Sequence, residues 1–230
     1  MSNNDEFDID EEEFAELLEK CELMFATKSE VYFDVHEFID LIDCYMTQQE
    51  ADKVTKLFSY AQKQHGSNSE IELRKALFDL ARNYIDNAIQ KLQQLLVVEP
   101  NNTEITINLS SAYIQNENPD TALHYLEQAI ATNPDEEEEF AAFICPAFVA
   151  HGYCDIAQNI LEKTLKKNPH NIELLYQLGL CYNTANNTEK SIELFKTILQ
   201  SEPYSFDAWF GLGVAYWQRE QFSEAIESLD

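Results

Sequence analysis

Proline residues recur in this chain at a nearly constant distance. Pro100, Pro134, Pro169 and Pro203 follow one another at an interval of about 34 residues, and Gly66 precedes the first of them by the same interval. Proline has no backbone N–H and forces the preceding residue away from the α-helical conformation, so each of these positions ends one helix. The interval therefore measures a unit that repeats along the chain, and each unit has room for two short helices joined by a turn.

Small residues and large apolar residues recur at fixed places within these units. Two antiparallel helices, A and B, approach closely only where small residues lie at their crossing and large apolar residues surround it. The residues with these roles in the last unit are Trp209, Leu212, Gly213, Tyr216, Ala225 and Leu229. A single helical hairpin cannot bury its own apolar face, so neighbouring hairpins must stack. The chain is therefore expected to be all-α.

This pattern resembles the tetratricopeptide repeat, whose signature is W-x2-L-G-x2-Y followed by A-x3 and a large apolar residue. The resemblance runs from residue 35 to the end and implies a right-handed α-solenoid, a superhelix of antiparallel helical hairpins. About six repeats are expected, over 35–68, 69–102, 103–137, 138–171, 172–205 and 206–230. The last repeat is incomplete because it ends inside helix B, and we expect the sequence to be part of a longer protein.

Two further segments precede the repeats. Residues 1–9 are polar and acidic and are expected to be a disordered tail. Within 10–34, apolar side chains such as Leu17, Cys21 and Met24 are spaced by three and four residues, which predicts an amphipathic helix. This helix is expected to cap the array by covering the apolar edge of the first repeat. An acidic arm that recruits a basic partner is the alternative interpretation.

Two helices depart from the regular pattern. Helix A of 69–102 fits only when it is displaced by one residue, which gives Leu73, Ala76 and Leu80 as packing residues and a shorter turn. In 138–171, Pro146 lies in the middle of helix A. It removes the N–H that would bond to the Ala142 carbonyl, at a cost of about 3 kcal/mol. A kink or break is predicted there.

The net charge is strongly negative, since 15 basic and 42 acidic side chains give a formal charge of −27. Such an excess of carboxylates repels the phosphates of nucleic acids and of anionic membranes, so neither is expected as a partner. No apolar run approaches the roughly 18 residues that span a bilayer, and the acidic N-terminus is unlike a secretory signal. An acidic, cytoplasmic protein is expected.

No pattern in the chain indicates catalysis. The five cysteines are scattered without a C-x-x-C pair, and in a cytosolic protein they are expected to be reduced and buried. Neither a phosphate-binding loop nor a metal-binding pair of motifs is present, and no nucleophile has identifiable partners. We therefore predict no catalytic residue, no metal and no cofactor.

The resemblance implies that helix A of each repeat lines a concave groove that holds a peptide or a segment of a partner protein. Candidates for these contacts are the helix A side chains that the packing stripe leaves free. They are Arg74, Lys75, Phe78, Arg82, Asn108, Phe143, Tyr176, Gln177, Leu180, Asn183, Phe210, Val214, Trp217 and Gln218.

These candidates form a basic zone in 69–102 and an aromatic, amide-rich zone in the last three repeats. Basic side chains suit a carboxylate or an acidic segment. Aromatic rings and amides suit an extended peptide, because the rings supply contact area and the amides pair with its backbone. The alternatives are ion pairs with neighbouring carboxylates for the first zone and packing between adjacent repeats for the second.

One subfamily of these repeats binds the C-terminal carboxylate of cytosolic chaperones through a clamp of Lys, Asn, Asn, Lys and Arg. In this chain Arg74 and Asn108 fit two of the five positions, whereas Phe78, Glu139 and Phe143 occupy the other three. Binding of chaperone tails is therefore not predicted.

The function expected from these features is that of a non-catalytic scaffold or adaptor that holds a peptide or partner segment in the concave groove. Two alternatives are a regulatory or substrate-recruiting repeat region of a larger enzyme and a dedicated client chaperone, since the fold does not decide function.

Overall fold

The computed structural model describes residues 11–27 and 29–229. Over those residues the predicted all-α class is confirmed, and thirteen α-helices follow one another along the chain. The predicted acidic tail, 1–9, lies outside the described residues. None of the described helices is long and apolar enough to cross a membrane.

The helices follow the interval seen in the sequence. The first five are α1 (Glu11–Thr27), α2 (Val35–Thr47), α3 (Ala51–His65), α4 (Ser69–Ala81) and α5 (Ile85–Val98). The others are α6 (Thr103–Gln115), α7 (Pro119–Thr132), α8 (Glu137–Ala150), α9 (Cys154–Thr164), α10 (Ile172–Thr184), α11 (Thr188–Ser201), α12 (Phe206–Gln218) and α13 (Phe222–Leu229). A short 3-10 turn, Pro134–Glu136, precedes α8.

The A helices of the six expected repeats are α2, α4, α6, α8, α10 and α12. Local sequence explains where most of them begin. The side chains of Asn68, Asn102, Asn171 and Ser205 accept hydrogen bonds from backbone N–H groups in the first turns of α4, α6, α10 and α12. These bonds satisfy donors that have no partner inside the helix. Asp34 does the same for α2 within a capping box.

The A helices end with equal regularity. A residue with positive φ follows each of them, and these residues are Gln49, Asn83, Glu117, Gly152, Asn186 and Glu220. Such a left-handed residue ends an α-helix and reverses the chain. These residues recur at the same interval as the prolines, about 34 residues. The interval from Glu117 to Gly152 is one residue longer than the others, and so is the interval from Pro134 to Pro169.

Helix α4 is not displaced. It begins three residues after Gly66, as α12 begins three residues after Pro203, and both helices have 13 residues. Ala76 is fully buried and stands ten residues after Gly66, the place that Gly213 occupies after Pro203. The predicted displacement was wrong, because the apolar pattern alone was used to set the register.

The chain divides into two compact units, Met1–Leu95 and Leu96–Asp230. In the first unit, α1 adds Leu17, Cys21 and Met24 to an apolar core that also contains residues of α2 and α3. The Tyr45 hydroxyl donates a 2.7 Å hydrogen bond to the Glu22 carboxylate. Helix α1 therefore covers α2.

In the second unit, the ring of Phe195 on α11 packs against backbone on two neighbouring helices. A Cβ atom added at Gly179 of α10 or at Gly211 of α12 would lie only 2.8 or 2.4 Å from this ring. Separations that short do not occur between carbon atoms, so these helices approach α11 closely because both positions are glycine. The sequence pattern pointed to Gly213 but missed Gly211.

Helix α8 passes through Pro146 without the predicted break. The Ala142 carbonyl oxygen, which lacks a donor at residue 146, accepts a hydrogen bond from Nε2 of Gln177, 2.9 Å away. Of the predicted kink or break, the break was wrong because it considered only the helix's own donors, whereas a side chain of α10 satisfies this carbonyl; the kink stays a prediction.

Candidate partner-binding surface

Exposed apolar side chains lie on helices α8 and α12, which both pack against α10. Phe143, Phe210 and Trp217, all predicted from the sequence, are 55%, 50% and 64% exposed. The predicted Leu180 and Val214 are half-buried. We call the following set the aromatic face: Phe143, Leu180, Phe206, Phe210, Val214 and Trp217.

Phe206 was missed by the sequence analysis. It is 77% exposed, and its ring stacks on that of Phe210 with centroids 6.3 Å apart. Phe206 is the first residue of α12, and it stands four residues before Phe210. That spacing, which places both side chains on one side of a helix, is the signal that identifies it.

Tyr176 belongs partly to the core. Its ring lies 6.0 Å from that of Phe195 in an edge-on arrangement, and the side chain is half-buried. Burial and the nearby Asp207 carboxylate raise the pKa of its hydroxyl. Tyr176 therefore packs against α11 as well as reaching the surface, unlike Phe210 and Trp217.

The amide side chains of the aromatic, amide-rich zone hold the A helices together. Besides the bond from Gln177 to Ala142, Nδ2 of Asn183 donates to the Gly211 carbonyl at 3.0 Å. Nε2 of Gln218 donates to the Asn183 carbonyl at 3.3 Å. The sequence predicts that these amides pair with a peptide backbone, but one N–H group of each bonds to a carbonyl of an adjacent A helix.

Two details complete this network. Oδ1 of Asn183, a buried residue, accepts a hydrogen bond from Oγ of Ser191. Oε1 of Gln177 is buried and accepts no hydrogen bond from any described residue. Asn108, the corresponding candidate on α6, is also buried, and its amide nitrogen donates to the Glu104 carbonyl of its own helix.

The basic zone lies in the first unit and is largely paired. Arg74 forms an ion pair with Asp43 at 3.0 Å, and Lys75 forms one with Glu72 at 3.8 Å. These pairs agree with the alternative given for this zone. Phe78 is buried.

Arg82 differs from the other two cations. Its guanidinium carbon lies 5.4 Å from the ring centre of Phe78 and 5.2 Å from that of Tyr84. Among the described residues it forms no ion pair.

The buried thiols are not reactive groups. Burial raises the pKa of Cys21 to about 11 and that of Cys181 to about 12. Both are therefore protonated at neutral pH, whereas the thiolate is the nucleophile. Within the described residues no three His, Cys, Asp or Glu side chains come together as metal ligands.

Comparison with known families gives matches along most of the repeats. One model of the tetratricopeptide repeat family matches residues 79–144, and a second matches 146–206 and 184–230. Together these matches cover more than half of the chain. None of the curated proteins matches the sequence.

Several solved structures resemble the chain. A tetratricopeptide repeat protein from Parabacteroides merdae ATCC 43184 is 14% identical, with a TM-score of 0.61 over 84% of this chain and 76% of its own. MamA protein is 21% identical, with a TM-score of 0.52 over 70% and 87%. MamA from Desulfovibrio magneticus RS-1 is 18% identical, with a TM-score of 0.53 over 70% and 90%. At these identities the likeness concerns the fold alone.

Proposed function

The chain belongs to the tetratricopeptide repeat family, and on that premise we propose that it is a non-catalytic scaffold that holds an apolar segment of a partner protein on the aromatic face. Repeats of this family bind protein or peptide partners. The observation that carries the proposal is the exposure of Phe143 on α8 and of Phe210 and Trp217 on α12, two helices that both pack against α10.

The physical argument is the free energy gained when these rings leave water. Burying one large apolar side chain contributes about 1.5–3 kcal/mol. Aromatic side chains dominate the energetics of protein interfaces, and an exposed patch of them marks an interaction site. Packing on the aromatic face therefore provides affinity without requiring any rearrangement of the helices.

The same contacts indicate the chemistry of the partner segment. One N–H group of each amide, on Gln177, Asn183 and Gln218, already bonds within the protein, and the exposed side chains of the aromatic face are apolar, so we infer that the segment is bound chiefly by its apolar side chains. The charge of −27 favours a segment flanked by basic residues, because opposite charges speed association. We also infer a cytoplasmic location, since all five cysteines are free thiols.

Affinity capture from a native lysate tests the proposal. The complete protein is compared with a face variant that combines Phe143→Ser, Phe210→Ser and Trp217→Ser. A control variant carries Tyr32→Ser, Val97→Ser and Tyr204→Ser, which change side chains that are 66%, 83% and 98% exposed elsewhere.

We expect the wild type and the control variant to retain the same protein and the face variant to lose it. Circular dichroism must show the same helicity and melting temperature for all three, because the changed side chains are exposed. Retention of the same protein by a folded face variant would contradict the proposal.

A further inference from the structure

A second surface lies in the first unit, between α3 and α4. Phe58 stands eight residues before Gly66, as Phe195 stands eight residues before Pro203. Phe195 packs against the backbone of α12 at Gly211. The two phenylalanines therefore occupy the same place in their repeats. The residues that face the ring on the following helix differ between the two repeats.

Helix α4 has large residues where α12 has small ones. Arg74 and Phe78 stand eight and twelve residues after Gly66, and Gly211 and Ala215 stand eight and twelve residues after Pro203. Because α4 has no glycine at this place, the ring of Phe58 packs against the ring of Phe78 instead of against the helix backbone. The two ring centroids are 5.7 Å apart. Side chains thus separate α3 from α4 and leave a groove between them.

Two cavities lie along this groove, and Phe78 and Arg82 line both. The first, of about 470 Å³, has an apolar lining from Met46, Ala51, Phe78 and Ala81. The second, of about 350 Å³, is lined by the rings of Phe58 and Phe78 and by polar residues that include Thr55, Ser59, Gln62 and Lys75. From Ala51 to Gln62, helix α3 rises roughly 16 Å, a distance that about five residues of extended peptide span.

Arg82 lines both cavities. The rings of Phe78 and Tyr84 hold it in place by cation–π contacts. None of the described residues that line the first cavity is acidic. The one carboxylate that lines the second, that of Asp79, is paired with Lys91. A guanidinium that has no carboxylate partner in the described part of the chain is suited to bind one from another molecule in a bidentate manner.

We propose that the groove between α3 and α4 binds an extended, internal segment of a partner protein in which apolar side chains precede or follow a carboxylate. The apolar side chains occupy the first cavity, the carboxylate pairs with Arg82, and small polar side chains lie in the second cavity. Because Arg82 lines both cavities, the segment crosses this residue and does not end there. This proposal uses other helices than the aromatic face and does not rest on the proposed function.

Fluorescence anisotropy with a labelled peptide tests this inference. The probe is Gly-Ser-Leu-Leu-Glu-Ser-Ser-Gly, used together with its reversed sequence because the groove does not set the direction of the chain. One control peptide has Gln in place of Glu, and another has Ser in place of both Leu residues. The full chain is used throughout.

The matched protein variants are Arg82→Gln and Arg219→Gln. Both positions are exposed C-caps of A helices, and they occupy equivalent places in their repeats, counted from Gly66 and from Pro203. Both changes remove one positive charge, but only Arg82 lies in the groove. The face variant described above serves as a third comparison, since it leaves the groove unchanged.

We expect one of the two charged peptides to bind the wild type, Arg219→Gln and the face variant equally. Arg82→Gln and the Gln peptide each weaken binding about tenfold or more, the factor expected for the loss of one charge-assisted pair. The Ser peptide loses binding as well.

Three results would overturn the proposal. They are equal binding of the Glu and Gln peptides, equal behaviour of the two arginine variants, and no binding of either charged peptide at millimolar protein. Sedimentation adds a fourth: dimerisation that Arg82→Gln abolishes would assign the groove to a second copy of this chain.

Discussion

Nε2 of Gln177 on α10 lies 2.9 Å from the carbonyl oxygen of Ala142 on α8 and donates a hydrogen bond to it. Pro146 deprives that carbonyl of its partner within the helix. The bond therefore repairs the helix and ties two adjacent A helices of the second unit together. It also fixes the orientation of the amide, because a rotated amide would bring two oxygens together.

A double-mutant cycle tests this relationship. In the wild type, Gln177→Met leaves the Ala142 carbonyl without a donor, and we expect a loss of about 1–2 kcal/mol in the free energy of unfolding. In a Pro146→Ala background the backbone N–H at position 146 takes over the bond. In that background Gln177→Met should lower the free energy of unfolding much less, since it also removes the unpartnered Oε1 atom of Gln177. Urea unfolding of the four proteins gives the coupling energy, and equal costs in both backgrounds would refute the link.

Gly211→Ala is expected to destabilise the second unit although alanine is the better helix former. The new Cβ would lie 2.4 Å from the Phe195 ring, and such overpacking costs about 1–3 kcal/mol. This exceeds the gain of about 1 kcal/mol in helix propensity. In a Phe195→Leu background the cost should largely disappear because the ring is absent. A higher melting temperature for Gly211→Ala alone would show that the helices do not approach this closely.

The five thiols should react with N-ethylmaleimide in an order set by burial. Cys21, Cys145 and Cys181 are buried, whereas Cys44 and Cys154 are half-buried. Burial raises the pKa of Cys145 as well as those of Cys21 and Cys181. Mass spectrometry at neutral pH should therefore find Cys44 and Cys154 modified first. Early modification of Cys145 in the folded protein would be inconsistent with its position in the core.

The hydrogen bond between Tyr182 and Glu162 predicts a dependence on pH. The Tyr182 hydroxyl donates to Oε1 of Glu162 at 2.6 Å, and this bond lowers the pKa of the carboxyl below its ordinary value of 4.5. A group whose pKa is lowered by folding stabilises the protein above its unfolded pKa and loses that contribution as pH falls through the folded value. The advantage of the wild type over Tyr182→Phe should therefore be about 1 kcal/mol at neutral pH.

Below a pH of about 4.5 that advantage should shrink, because the carboxyl becomes protonated. Chemical unfolding of both proteins over a series of pH values measures the difference. Tyr60→Phe, a change of the same kind at a half-buried tyrosine, serves as a control. If the difference in unfolding free energy between the wild type and Tyr182→Phe stays constant from neutral to acid pH, the Tyr182 hydroxyl does not stabilise the protein through the Glu162 carboxylate.

The order of helices was predictable because one interval governs it. A helix end near each proline and a left-handed residue between helices A and B are local requirements, and both recur at that interval. The contact of Gly211 with Phe195 and the bond of Gln177 to Ala142 join different repeats. Neither follows from the pattern within one repeat, and for that reason both were missed.

The candidate site was only partly predictable for a related physical reason. Exposed aromatic side chains such as Phe210 and Trp217 follow from their place opposite the packing stripe. The same rule expected Asn183 to be free, yet its amide is buried and bonded to Gly211 on the next A helix, α12. Helix periodicity gives the direction of a side chain, but not whether a neighbouring helix offers it a carbonyl.

Site-specific photocrosslinking tests the central claim most directly. Phe210 on the aromatic face, or Tyr204 as a control that is still more exposed, is replaced by p-benzoylphenylalanine in the complete protein. Both are then irradiated in a native lysate, and the crosslinked peptides are identified by mass spectrometry. We predict that position 210 crosslinks to one apolar segment of one partner and that position 204 does not. Crosslinks to that partner from position 204 alone, or none from position 210, would contradict the assignment of the aromatic face as the binding surface.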